Sequence, residues 1–180
     1  MACKQLPPEL AVIYQELGIA ENWAEVRGVV YYPEAAVADL QVVSIDFDGK
    51  PFILDASVSD RWNQLLGAAE KDGVRILPFS GFRSYRYQRG LIKRQLHHGR
   101  TIDDILTGLA APGCSEHHTG RAIDLTSECC KPLGEEFENT DAFKWLQTHA
   151  SRFGLVMSFP RNNEFGYIYE PWHWCFQEDE

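Results

Sequence analysis

The sequence lacks any apolar run long enough to cross a membrane. A transmembrane helix needs about 20 consecutive apolar residues, and no segment approaches that length. Near the N-terminus the longest apolar run is residues 10–14, shorter than the ~7–15 residue core of a signal peptide, and Pro7 and Pro8 precede it. Cys3 lacks the preceding apolar stretch of a lipoprotein anchor. We therefore expect no membrane span and no leader.

The sequence also lacks a disulfide framework. Its five cysteines are odd in number and two of them are adjacent: Cys3, Cys114, Cys129, Cys130 and Cys175. No second cysteine pair stands at zinc-ribbon spacing from the adjacent two, so we assign them no metal. The pattern predicts reduced thiols and a cytoplasmic location. The periplasm or the extracellular space is the alternative if a leader has been removed.

Positive charge is scarce. The chain has 17 Lys and Arg against 26 Asp and Glu, a formal net charge of −9. An acidic surface repels phosphate backbones, so we expect no nucleic-acid partner. The one basic cluster lies in a predicted helix and favours a solvated face or a small-anion site. Its members are Arg83, Arg86, Arg89, Lys93 and Arg94.

Repeats and low-complexity tracts are absent, and 180 residues suffice for one domain with a full core. Helices and strands follow one another without strict alternation, which predicts an α+β fold with a mostly antiparallel central sheet flanked by helices. We expect helices at 7–16, from Ser57 or Ser59 to Gly73, at 85–97, from a Thr101 cap to 109, and after a Thr140 cap through Phe153. We expect strands at 42–47, 51–54, 74–79, 122–126, 155–159 and 172–176.

A candidate metal site begins in "SEHHTGRAID", residues 115–124, since the sequence has no HExxH pair that would place two ligands on one helical turn. Gly120 lets the chain turn between the two histidines, His117 and His118, and Asp124. On the predicted strand, Asp124 points away from the side of Ile123 and Leu125, and a buried carboxylate needs a partner such as a cation. Spacing alone leaves open which histidine binds.

A second segment, "YIYEPWHWCF" at residues 167–176, places Glu170 and His173 among five aromatic residues. Pro171 prevents an interior helix there. Low polarity raises a carboxyl pKa, which suits a general acid or base beside a metal. Structural alternatives exist for each residue alone: a hydrogen-bonded core histidine, a buried cap at Asp124, a salt bridge at Glu170. His97 and His98 end a polar helix and are interpreted as solvated.

Three blocks of the sequence together resemble the zinc D-alanyl-D-alanine carboxypeptidases of the VanY type, which include L,D-carboxypeptidases. The first block, "SGFRSYRYQ", runs from Ser80 to Gln88. The second matches S-x-H-x-x-G-x-A-x-D over residues 115–124, and the third matches E-x-W-H over residues 170–173. The resemblance implies the fold shared by lysostaphin, D-Ala-D-Ala peptidases and sonic hedgehog. We expect a single domain over 1–180, with a catalytic core at 75–176 and a helix and hairpin elaboration at 1–60, a part of the chain that shows little of this resemblance.

The resemblance also implies a role for each matched residue. The metal ligands would be His117, Asp124 and His173, holding one Zn²⁺ per chain. Glu170 would be the general base and Arg83 the transition-state stabiliser, while Ser115 and Gln88 would contact the substrate. Two positions depart from relatives: His118 stands where glutamine is common, which predicts a second titratable group beside the metal. Cys175 stands where arginine is frequent, which predicts a change in how acidic groups of the substrate are held.

The implied substrate is a peptidoglycan-derived peptide that loses its C-terminal D-alanine. A cytoplasmic enzyme would meet recycled muropeptides, so we favour an L,D-carboxypeptidase that converts tetrapeptides to tripeptides. The alternatives are a D,D-carboxypeptidase acting on D-Ala-D-Ala pentapeptides, a peptidoglycan endopeptidase, and a non-catalytic zinc-dependent binding module.

Overall fold

A four-stranded antiparallel sheet forms the centre of the computed structural model, which describes residues 6–177. Its order is β3-β4-β6-β5, and a separate hairpin pairs β1 with β2. The predicted α+β class and antiparallel sheet are confirmed. The strands are β1 (Leu40–Ile45), β2 (Pro51–Asp55), β3 (Leu77–Ser80), β4 (Ala122–Thr126), β5 (Leu155–Met157) and β6 (His173–Phe176).

Capping residues set several helix ends. Thr140 accepts a hydrogen bond from the Phe143 amide, as the sequence predicts, whereas Asp55 rather than a serine caps the third helix. The helices are α1 (Pro8–Leu17), α2 (Trp23–Arg27), α3 (Ala56–Lys71), α4 (Tyr85–His97), α5 (Ile102–Ile105) and α6 (Asp141–His149). Single 3₁₀ turns span Val37–Asp39, Glu116–Thr119, Glu135–Asn139 and Ala150–Phe153.

Some predicted bounds were wrong, and after one of these elements the chain bonds to a distant segment. Thr101 caps α5, but the helix stops at Ile105 instead of reaching 109. The Thr107 carbonyl accepts a hydrogen bond from the Ile168 amide, so the chain pairs with a distant segment there. The strand predicted at 74–79 is observed at Leu77–Ser80, and the one predicted at 155–159 ends at Met157. Phe153 lies in a 3₁₀ turn after α6.

The strand β4 is buried on both of its faces. Ile123 and Leu125 join the core cluster that α3, α6 and the sheet share. Asp124 points to the opposite face, as predicted, but that face is covered as well, with Asp124 only 1% exposed. The alternation along β4 therefore separates the apolar core from a buried polar site.

The first third of the chain packs on the loop that carries the two adjacent histidines. The extended segment before β1 donates backbone hydrogen bonds from Tyr32 to the Gly113 carbonyl (2.7 Å) and from Ala35 to the His118 carbonyl (2.8 Å). The Asp55 amide donates to the Gly120 carbonyl at 2.8 Å. These bonds fix the loop from outside the central sheet. The division of 1–180 into an elaboration and a catalytic core stays a prediction.

The basic cluster faces α1. Arg89 and Lys93 on α4 pair with Glu16, and Arg86 pairs with Glu9. This confirms a solvated, ion-paired face for these three side chains, whereas Arg83 turns inward. Cys114, Cys129, Cys130 and Cys175 form no disulfide, while Cys3 lies outside the described residues. Within residues 6–177, none of the helices has the length and apolarity needed to traverse a bilayer.

Candidate metal centre

Two imidazoles and one carboxylate converge on the covered polar face of β4, opposite the apolar core. His117, Asp124 and His173 each offer one ligand atom, and these atoms all lie within 4.8 Å of one another. Asp124 Oδ1 is 3.2 Å from His117 Nε2 and 3.1 Å from His173 Nδ1. The register of β4 against β6 sets Asp124 directly opposite His173. The three residues predicted as ligands are thus brought together.

His117 presents its Nε2 atom to this cluster because its other ring nitrogen is bonded elsewhere. Nδ1 donates to the Gly81 carbonyl at 2.7 Å, so the proton of the neutral ring lies on Nδ1. Gly81 itself packs closely against β2, where a Cβ atom would stand 2.3 Å from the Ile53 carbonyl oxygen. Burial and the Arg83 charge lower the pKa of His117 to about 4. The neutral ring therefore turns its unprotonated Nε2 toward Asp124.

His173 presents the opposite nitrogen, Nδ1. Its Nε2 atom lies 2.8 Å from a carboxylate oxygen of Glu116. Burial lowers the pKa of His173, but its hydrogen bonds to Asp124 and Glu116 outweigh this and raise the pKa to about 10. Without a metal, the ring is therefore an imidazolium between two carboxylates. Glu116 was missed by the sequence analysis, although it stands next to His117 in the quoted segment.

The donor set fits zinc. Two imidazole nitrogens and one carboxylate oxygen make the three-ligand set of a catalytic zinc site, which leaves a fourth position open. The far nitrogen of each histidine is held by an oxygen, the arrangement that orients metal-bound imidazoles in proteins. The predicted ligand set is therefore compatible with the structure.

His118 points away from the cluster, which answers the question that the spacing left open. Its Nδ1 donates to the Arg83 carbonyl (2.6 Å) and its Nε2 accepts from the Gly113 amide (3.0 Å). Burial lowers the pKa of His118 to about 4, so the ring is neutral near pH 7. The expected second titratable group beside the metal was wrong, because His118 only bridges two loops. A glutamine amide, with one donor and one acceptor, could make the same two bonds.

Glu170 and Arg83 line the same cavity as the cluster, a space of about 210 Å³. Burial is the main influence on Glu170 and raises its pKa to about 7, although the charge of nearby His173 lowers that pKa. Arg83 donates to Asp124 and lies 3.0 Å from His117 Nε2. Burial raises the pKa of Asp124, but the neighbouring His117 and Arg83 outweigh this effect and hold that pKa well below its usual range. Since one lone pair serves one cation, metal binding requires the guanidinium to leave His117 Nε2.

Gln88 and Ser115 also line this cavity, as the substrate-contact prediction requires. Gln88 is fully buried, and its Nε2 donates to the Ala110 carbonyl at 2.8 Å. Its Oε1 has no hydrogen-bond partner among residues 6–177 and can accept one from a ligand. Cys175 is not among the described residues that line the cavity. It is buried in β6, so the expected direct effect on acidic substrate groups has no contact to support it.

Comparison with known proteins finds a family model and individual relatives that match this chain. The family model "VanY: D-alanyl-D-alanine carboxypeptidase" matches residues 52–179. A putative carboxypeptidase, YodJ of Bacillus subtilis, is 32% identical over 76% of this chain and 52% of its own length. A D-alanyl-D-alanine carboxypeptidase of Enterococcus faecalis is 24% identical over 90% of this chain and 61% of its own. The chain thus spans about half to three fifths of these relatives.

Two solved structures share the fold. The LdcB LD-carboxypeptidase superposes with a TM-score of 0.70 and 29% identity, over 81% of this chain and 69% of that one. The vancomycin-resistance D,D-pentapeptidase VanY, solved in complex with Zn(II), superposes with a TM-score of 0.61 and 26% identity, over 82% and 85%.

Proposed function

This chain belongs to the VanY family of D-alanyl-D-alanine carboxypeptidases, and on that premise we propose that it is a zinc-dependent carboxypeptidase acting on peptidoglycan stem peptides. The observation that carries the proposal is the convergence of His117, Asp124 and His173 within 4.8 Å, in a cavity that Glu170 and Arg83 also line. One Zn²⁺ per chain would be held by these three residues. When bound, the metal would supply Lewis acidity toward the scissile carbonyl and the attacking water.

The remaining chemistry falls to side chains of this chain. Glu170 takes the proton of the attacking water and later delivers it to the leaving amine, and a pKa of about 7 suits both steps near neutral pH. Arg83 supplies positive charge to the carbonyl oxygen as negative charge develops there. Gln88, through its unpaired Oε1, accepts a hydrogen bond from a substrate N–H group. Ser115 lies in the same wall.

The size of the cavity supports removal of a small terminal residue. Its volume of about 210 Å³ is smaller than the roughly 300–1,000 Å³ of pockets that bury drug-sized ligands. A terminal D-alanine and the peptide bond before it are of suitable size. A non-catalytic zinc module would need neither Glu170 nor Arg83, yet both line the cavity that contains the ligand cluster.

The favoured substrate is a tetrapeptide stem whose last D-alanine is joined to the L-centre of diaminopimelate, so that the product is a tripeptide. The likeness to LdcB, named as an LD-carboxypeptidase, supports this preference with a TM-score of 0.70. The likeness to the D,D-pentapeptidase VanY, with a TM-score of 0.61, supports the alternative substrate, a pentapeptide ending in D-Ala-D-Ala. The cytoplasm remains our proposed compartment, supported by the four free cysteines among the described residues. The substrate there would be recycled muropeptides.

A substrate panel tests both levels of the proposal. Zinc-loaded protein is incubated with free tetrapeptide, free pentapeptide and a cross-linked dimer, each with and without a chelator, and released D-alanine and peptide masses are measured. We expect chelator-sensitive release of D-alanine, fastest from the tetrapeptide. Faster release from the pentapeptide would identify a D,D-carboxypeptidase, and cleavage of the dimer without free D-alanine an endopeptidase.

A pair of variants distinguishes catalysis from binding. Glu170→Gln keeps the shape of the side chain but cannot accept the proton, so turnover should be lost while zinc stays bound. Glu164→Gln changes an exposed glutamate outside the cavity and is the matched control. Peptide binding without turnover in the unaltered protein would leave only the binding module.

A further inference from the structure

Glu116 occupies a position that neither the three ligands nor the proposed catalytic pair accounts for. Its side chain is only 16% exposed, and its Oε2 lies 2.8 Å from His173 Nε2. That nitrogen is on the far side of the ring from Nδ1, which faces Asp124. Glu116 is therefore bonded to a ligand residue and is not a member of the ligand cluster.

The bond to Glu116 determines which nitrogen of His173 is available. A carboxylate accepts hydrogen bonds and donates none, so it keeps a proton on Nε2. With Nε2 occupied by Glu116, the nitrogen of His173 that faces the ligand cluster is Nδ1, which lies 3.1 Å from Asp124 Oδ1. The ring is further confined by Phe159, whose centroid lies 4.8 Å away. Glu116 thus selects the tautomer that a metal at this cluster requires.

Glu116 is itself held in place by two more donors. The hydroxyls of Ser158, after β5, and Tyr32, in the extended segment before β1, both hydrogen-bond its carboxylate. Tyr32 is fixed through its backbone on both sides. Its amide donates to the Gly113 carbonyl at 2.7 Å, and its carbonyl accepts from the Tyr85 hydroxyl at 2.9 Å. Three donors leave this carboxylate little freedom to turn toward the substrate.

We propose that Glu116 is the positioning residue of the metal centre, orienting His173 for metal binding, and that Tyr32 holds Glu116 in that role. Tyr32 lies outside residues 52–179, which the family model matches, so the N-terminal third would contribute directly to the metal site. The inference rests on the proposed function only for the identity of the metal. It concerns affinity and ring orientation, not hydrolysis.

The test measures zinc affinity of the full chain by competition with a chromogenic chelator. Glu116→Ala should weaken zinc binding about 10–100-fold, the usual effect of losing such an outer partner. Glu116→Gln retains an oxygen acceptor for Nε2 and should recover part of that loss. Tyr32→Phe removes one hydroxyl and should weaken binding by a smaller factor than Glu116→Ala. Glu70→Gln, on the exposed face of α3, is the control and should bind zinc as the unaltered protein does.

A second readout separates positioning from general damage to the fold. Long-range ¹⁵N–¹H spectra of the zinc-loaded protein report which nitrogen of His173 carries the proton. Nε2 should carry it in the unaltered protein and in Glu116→Gln, and Glu116→Ala should show loss of that preference. Because Glu116→Gln and Tyr32→Phe conserve side-chain shape, they keep the test valid if Glu116→Ala fails to fold.

Loss of such a partner typically weakens metal binding at least tenfold. The inference would therefore be overturned if Glu116→Ala bound zinc with an affinity within about twofold of that of the unaltered protein. An unchanged His173 tautomer in that variant would also overturn it. These results are independent of the substrate panel. Tight zinc binding without D-alanine release refutes the proposed function and leaves Glu116 in its role. If Glu116→Ala binds zinc normally and releases D-alanine normally, the positioning role of Glu116 is refuted and the proposed function stands.

Discussion

Replacing His118 with glutamine tests how the loop of the metal centre is held together. The ring donates to the Arg83 carbonyl and accepts from the Gly113 amide, and a glutamine amide offers the same donor and acceptor. We expect His118→Gln to fold, bind zinc and release D-alanine like the unaltered protein at pH 7 to 8. His118→Ala should lose about 1–3 kcal/mol of stability because it leaves buried groups unpaired.

The stability of His118→Gln should differ from that of the unaltered protein at acidic pH. Burial lowers the pKa of His118 from 6.5 to about 4 in the folded state. Between these values the unfolded chain binds a proton that the folded chain does not, so stability falls as the pH drops below about 6.5. At pH 5 the unfolded residue is almost fully protonated and the folded one is mostly neutral. The two pKa values then give a loss of about 2 kcal/mol.

Urea denaturation of the metal-free proteins at several pH values between 8 and 5 measures this difference. The free energy of unfolding of the unaltered protein should fall by about 2 kcal/mol more than that of His118→Gln. Other titrating groups are common to both proteins and cancel in the comparison. His97→Gln, at the exposed end of α4, is the control and should follow the unaltered protein. Parallel curves for His118→Gln and the unaltered protein would refute a buried, neutral His118, and loss of zinc in the variant would make it a ligand.

Of three further predictions, two concern the cavity and one concerns the loop at Gly81. Burial raises the pKa of Glu170 to about 7, and the base must be ionised to act. We therefore expect kcat/KM to fall about tenfold per pH unit below this pKa, or below a lower pKa when a bound cation stabilises the carboxylate. A rate that is flat down to pH 5 would contradict the base role. Arg83→Ala should lower kcat about 10²–10³-fold with a smaller change in KM, since its charge acts mainly in the transition state; a change confined to KM would make Arg83 a binding residue. Gly81→Ala places a Cβ 2.3 Å from the Ile53 carbonyl oxygen, so thermal unfolding should show a loss of about 1–3 kcal/mol. An unchanged Tm would show that the loop at Gly81 adjusts freely.

Local patterns predicted well those features that depend on neighbouring residues. The helix 85–97 and the strand 122–126 have the predicted bounds. The Ser84 hydroxyl accepts a hydrogen bond from the Tyr87 amide at the start of the helix, and a turn at Gly120 precedes the strand. The end of α5 at Ile105 was missed. Just beyond it, the Thr107 carbonyl accepts a hydrogen bond from the Ile168 amide, and no local pattern in the sequence indicates a partner so far along the chain.

The same division holds within the site. By itself the sequence determined which residue types were available, namely the imidazoles, carboxylates and arginine of three motif blocks. Resemblance then separated His117 from His118, which spacing could not do. Only the tertiary structure showed that His118 bridges two loops, that Glu116 holds the far nitrogen of His173, and that Tyr32 reaches Glu116.

The physical reason is the reach of the interactions. Helix caps, turns and strand alternation arise within a few residues, so they can be recognised in the order of the amino acids. The tautomer of a histidine, the burial of a carboxylate and the choice of a hydrogen-bond partner depend on atoms that only chain packing brings together. The pairing of β4 with β6 joins Asp124 to His173 across 49 positions. The sequence determined the ligands' chemistry, and the packing of distant segments decided which nitrogen and which oxygen would face one another.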